Sequence, residues 1–168
     1  MKKAVMIIAQ NGFRDEELQD PKKVLEAGAV KVIIASSSKS ASQGVLGTVV
    51  NPDITLDEIN VSDFDAVIFV GGAGSSQYWN DPVAHRIAKE AVNQGKVLGA
   101  ICIAPVTLAN AGLLNGKKAT VWSSESEQLK ASGALYTGKA VEQDGKIVTA
   151  NGPTAAVEFG KTILKLLE

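Results

Sequence analysis

Four apolar runs constrain this chain more than any other feature: "AVMIIA" (4–9), "VKVIIAS" (30–36), "DAVIFVGG" (65–72) and "KVLGAI" (96–101). They are rich in β-branched residues and nearly continuous, without the apolar/polar alternation of a half-exposed strand. Such runs suit strands buried on both faces of a parallel sheet. Helical patterns fall between them. The segment 14–27 ends at Gly28, a glycine placed to cap a helix. Pro21 lies inside it and is expected to kink the helix, or to restart it with Asp20 as cap. In "NDPVAHRIAKEAVNQG", Asp81 reads as N-cap and Pro82 as first helical residue. Val83, Ile87 and Val92 form its apolar stripe, and Gly95 stops it. A short "KATVW" strand, a helix near 124–132, a hairpin turning at Asp144-Gly145 and a final helix over 154–167 complete the chain. The β-α-β alternation predicts a three-layer α/β fold around one open, mostly parallel sheet, as a single domain over 1–168.

Composition excludes several classes. The 168 residues are 45% hydrophobic and 21% charged, with a formal net charge of -1. No Lys/Arg cluster is longer than a pair, so no nucleic acid and no membrane surface is expected as partner. The apolar run near the start is too short for a signal peptide and is followed by "QNGFRDEE". No stretch approaches the roughly 18 apolar residues of a membrane span. One cysteine permits no internal disulfide and no metal cluster, and it fits a reducing cytoplasm.

That cysteine, Cys102, stands where "KVLGAI" gives way to the helical "APVTLANAGLL". In open α/β sheets ligands bind at the carboxyl ends of strands, and a nucleophile on a sharp strand-to-helix turn is presented there. Gly99, Ala100 and Ala104 leave room for the turn, and Pro105 suits a first helical turn. A helix N-terminus is expected to favour thiolate over thiol. The Ile103 amide is the nearest oxyanion donor, with a second from "FVGGAG" of the neighbouring strand. The competing reading of Cys102 is a small buried apolar residue.

Taken in order and spacing, "AVIFVGGAG", "AICIAP" and "TANGPTAAVEFG" resemble the ThiJ/PfpI superfamily, flavodoxin-like sandwiches with a cysteine elbow. The resemblance runs nearly end to end. It implies that Cys102 is the nucleophile and that Glu17 of "FRDEELQDP", four residues before Pro21, lies beside the sulfur. It implies an amide pair from Gly72 and Ile103, in a pocket to which Gly71, Trp122 and Pro153 contribute. Without it, Glu17 is one of three acids at a helix start. The protease-like branch carries a histidine directly after the cysteine; here that residue is Ile103. The only histidine, His85, reads as a solvent-facing helix residue. Tyr78 and Trp79 read as packing or as oligomer contacts.

Three functions follow from the resemblance: a cofactor-free, metal-free enzyme acting on reactive carbonyls (glyoxalase- or deglycase-like); a redox sensor or chaperone-like protein in which Cys102 oxidises; and an intracellular cysteine peptidase. The resemblance also implies a homo-oligomer, with a homodimer as the expectation, in a cytoplasmic stress-response role.

Overall fold

The computed structural model describes residues 1–168. In chain order its strands are β1 (Lys3–Ile7), β2 (Asn11–Phe13), β3 (Lys31–Ser36), β4 (Ser42–Gly44), β5 (Val49–Val50), β6 (Ile54–Thr55) and β7 (Ala66–Phe69). They continue with β8 (Val97–Ile101), β9 (Lys118–Ala119), β10 (Leu135–Tyr136), β11 (Val141–Asp144) and β12 (Ile147–Ala150). The α-helices are α1 (Asp15–Ala27), α2 (Pro82–Asn93), α3 (Pro105–Asn110), α4 (Ser126–Ala131) and α5 (Ala156–Leu167).

The four apolar runs become β1, β3, β7 and β8. They form the centre of a seven-stranded sheet of order β11-β12-β8-β7-β1-β3-β6, parallel except for β11 against β12. Alternate side chains of β1 serve opposite layers. Val5 and Ile7 pack with Ile87 and Ala88 of α2 and Val106 and Leu108 of α3. Ala4 and Met6 pack with Leu18 and Leu25 of α1 and Phe159 and Ile163 of α5. The result is a three-layer α/β sandwich. Chain direction across the sheet reverses at β1, whose carboxyl end, with those of β7 and β8, opens the crevice where such folds bind ligands.

Several local expectations need correction. Pro21 does not break α1, which runs unbroken from Asp15 to Ala27; the proline is buried against α5, where a Cβ on Gly160 would lie 2.9 Å from its Cα. Gly28 does cap α1, as expected, but at φ -89°; Ala29 takes the left-handed conformation at φ +63°, while a Cβ on Gly28 would meet the Leu164 side chain at 2.5 Å. Asp81 does cap α2, accepting from the Val83 amide at 3.0 Å. The buried stripe of α2 is Ala84, Ile87, Ala88 and Ala91, whereas Val92 is largely exposed. The hairpin pairs Asp144 with Ile147, so its turn is Gly145-Lys146, one residue later than the dipeptide signal suggests. The small sheet β2-β4-β5 was not foreseen. No helix is long and apolar enough to cross a membrane.

Candidate active site

Cys102 follows the last residue of β8 with φ +65°, the left-handed region that a non-glycine residue occupies at a cost of about 1–3 kcal/mol. The surroundings hold it there. Its amide donates to the Ala150 carbonyl at the end of β12 (2.9 Å), and its carbonyl accepts from the Trp122 amide (2.8 Å). The next residue is fixed from behind, because the Trp79 indole N–H donates to the Ile103 carbonyl at 3.0 Å. Trp79 is therefore a packing residue of the elbow. Tyr78, 2% exposed, donates to the Ile8 carbonyl at 2.8 Å. Gly99 does not serve the turn as expected: its missing Cβ leaves room for Ile163 and Phe159, whose nearest atoms would lie 2.9 and 3.0 Å away.

The three acids that open α1 have three different roles. Asp15 is buried and accepts from the Leu46 and Thr48 amides, both at 2.9 Å. Burial works against its charge, but these bonds hold its carboxyl below the ordinary range. Glu16 pairs with Arg14 through two bonds of 3.0 Å. Glu17 points inward, is 0% exposed, and has no hydrogen-bond partner for either oxygen among nitrogen and oxygen donors. It sits beside the Cys102 thiol and the Gly71 amide.

Gly71 makes that approach possible. A Cβ there would collide with Glu17 Oε1 and lie 2.5 Å from both the Cys102 Cβ and the Ile101 carbonyl oxygen. Gly72, at φ +102°, gives way to the loop after β1, where a Cβ would meet the Arg14 amide and the Gly12 carbonyl. The glycine pair thus admits protein groups. Gly71→Ala is expected to cost about 1–3 kcal/mol by overpacking and to separate Glu17 from the sulfur. Unchanged melting and unchanged Cys102 alkylation in that variant would overturn this account of Gly71.

The electrostatics follow from burial. Burial pushes the Glu17 carboxyl up to about 8, with the Cys102 thiol and the Arg14 charge pulling the other way. At neutral pH the carboxyl keeps its proton. Burial also pushes the Cys102 thiol up to about 12; an ionised Glu17 is the next cause, and the Gly72 and Ile103 amides pull down. That elevation includes a carboxylate neighbour, which a protonated Glu17 is not. Two adjacent acids disfavour each other's charge and titrate as a pair. The sulfur is the better seat for a single charge, since it is half-buried at a cavity wall and faces two amides. The fully buried carboxyl has a single amide beside it, that of Gly71. Helix α3 adds little: it starts three residues later and is only six residues long, so the expected dipole effect gives way to the two amides.

The sulfur opens on a cavity of about 350 Å³ whose walls include Arg14, Val45, Gly72, Ile103, Trp122 and Pro153. Gly72, Ile103, Trp122 and Pro153 were expected from the sequence; Gly71 lies behind the wall. Arg14, Val45 and Ser124 were missed, because the loop around 44–48 and the turn at 123–125 reach the site only through the fold. His85 is half-buried rather than solvent-facing, with Nε2 2.8 Å from the Trp79 carbonyl oxygen. It is not on the cavity wall.

Comparison with known proteins agrees with this architecture. An uncharacterised protein of Methanocaldococcus jannaschii is 42% identical over 99% of this chain and 82% of its own length. The Pyrococcus furiosus deglycase PfpI is 30% identical, covering 98% of this chain and 99% of its own. A glutathione-independent glyoxalase of Caenorhabditis elegans is 28% identical over 99% and 89%. The crystal structure of a ThiJ/PfpI domain protein from Brachyspira murdochii superposes with a TM-score of 0.96 at 31% identity, covering 98% of this chain and 95% of that one. The family model for DJ-1/PfpI matches residues 2–166, and the chain belongs to the DJ-1/PfpI family.

Proposed function

We propose that this protein is a cysteine-dependent enzyme of the stress response that acts on reactive carbonyls, in the manner of glyoxalases and deglycases. One observation carries the reading: a half-buried thiol in a strained turn meets a buried carboxyl that has no other partner, at the wall of a small, mainly apolar cavity. The thiolate adds to an aldehyde carbon, forming the C–S bond of a hemithioacetal. The carbonyl electron pair moves to oxygen, which takes the Glu17 proton. General acid–base help of this kind is worth roughly 10²–10⁴ in rate. The relatives named deglycase and glyoxalase support the same chemistry. Self-association, as a homodimer, belongs to this reading.

A second reading is a redox sensor, because amide donors and a protonated carboxyl around one sulfur would also hold a sulfinate. Peptidase activity is disfavoured: Ile103 stands where a base would, and the His85 ring is engaged by Trp79. The test is wild type against Cys102→Ser, assayed in parallel for methylglyoxal consumption, protein deglycation and peptide cleavage. The expected result is carbonyl turnover that falls to background in Cys102→Ser and no cleavage in either. Cys102-dependent peptide cleavage, or no carbonyl rate at all, overturns it.

A further inference from the structure

We propose that Arg14 sets the specificity of the Cys102 site: anchored by Glu16 on one edge, it offers its remaining N–H edge to the cavity and favours carbonyl electrophiles that carry a carboxylate. This rests on the reading of Cys102 as a carbonyl nucleophile. Arg14 is the only permanently charged residue on the cavity wall. Its guanidinium is 36% exposed, and Nε and Nη2 are taken by the two Glu16 oxygens. A guanidinium has five donors arranged as two usable edges. Engaging Nε and one Nη2 hydrogen leaves Nη1 and the second Nη2 hydrogen on the other edge. Glu16 thus fixes the side chain and leaves a fork that matches a carboxylate.

The other acids nearby leave that fork open. Asp15 is bound by the Leu46 and Thr48 amides, Glu16 is off the cavity wall, and Glu17 is neutral at pH 7. The rest of the wall is mostly apolar, with Val45, Ile103, Trp122 and Pro153. The volume suits a molecule of a few carbons. Glyoxylate is the simplest member of the class: its aldehyde carbon forms the C–S bond, its carbonyl oxygen takes the Glu17 proton, and its carboxylate stays intact on Arg14.

The test uses two alkylating probes of similar size, anionic iodoacetate and neutral iodoacetamide. Each forms a Cys102 C–S bond and releases iodide, so neither needs turnover. In wild type the rate ratio of iodoacetate to iodoacetamide is expected to exceed that of Arg14→Ala roughly tenfold, the scale of a charge-assisted contact in partial solvent. Arg14→Lys should lie between, because a point charge replaces a fork. The double variant Arg14→Ala with Glu16→Gln removes both charges and should match Arg14→Ala, which excludes repulsion by a freed Glu16 as the cause. Glyoxylate should protect wild-type Cys102 better than glyoxal does, and this preference should vanish in Arg14→Ala. An unchanged ratio, or equal losses for both probes in a variant that melts like wild type, overturns the proposal. A shifted ratio without turnover of any carbonyl leaves the anion preference standing and sinks the enzymatic reading instead.

Discussion

Glu17→Gln is expected to make the protein more stable at pH 8 while changing little at pH 4.5. In the unfolded chain Glu17 loses its proton near the ordinary 4.5; in the folded chain burial holds the proton up to about 8. Between these values the folded state binds one proton more than the unfolded state. Stability from this residue is therefore complete below about pH 4.5 and is lost as pH rises through about 8. The slope is about 1.36 kcal/mol per pH unit, so the wild type should lose roughly 5 kcal/mol across the window. Glutamine keeps the shape and a donor and has no proton to lose. The difference between the two proteins should grow to roughly 10 °C in melting temperature for a chain of this size. Other carboxylates, Asp15 among them, titrate alike in both proteins and cancel. Melting curves at half-unit pH steps decide it; two parallel Tm profiles would mean that Glu17 ionises freely in the folded state. The variant would then trade function for stability, as expected where a strained, unsatisfied site is kept for its chemistry.

The same contrast shows what the sequence discloses and what it hides. The central strands are legible because burial on both faces requires continuous apolar runs, and the runs at 4–9, 30–36, 65–72 and 96–101 fall on β1, β3, β7 and β8. Cys102 is legible because strand and helix patterns meet there. Glu17 is not, without the family resemblance: "DEE" at a helix start gives no sign that the first acid binds loop amides, the second an arginine and the third none. Gly71 and Gly72 are visible, but the groups they admit come from segments distant in sequence, around 12–17 and 101–102. Arg14 and Val45 could not be placed, since the wall they share is assembled from segments thirty residues apart. The strands β2, β4 and β5 are only two or three residues long, too short for any periodicity.

The pH dependence of Cys102 alkylation should separate the two ways of sharing the site's single charge. If the charge resides on sulfur and Glu17 is the donor, Glu17→Gln keeps an N–H in place of the O–H, and the alkylation step should stay within a few tenths of a pH unit. Glu17→Leu removes the donor. A hydrogen bond to a charged group is worth about 1.5–3 kcal/mol, so the step should move upward by about 1–2 pH units. Below the step, Leu-variant alkylation should be roughly ten- to a hundredfold slower than wild type. If the carboxylate held the charge instead, its repulsion would be what suppresses the thiolate. Both substitutions would then move the step to lower pH, because the repulsion of an ionised Glu17 that helps to raise the Cys102 thiol would be gone. Fully buried Glu17 has, besides the Cys102 thiol, only the Gly71 amide at hand to stabilise a carboxylate, whereas the sulfur faces the Gly72 and Ile103 amides at an open wall. The upward shift in Glu17→Leu alone is therefore the expected result. A downward shift in both variants would reassign the charge to Glu17 and remove it as the proton donor to the carbonyl oxygen.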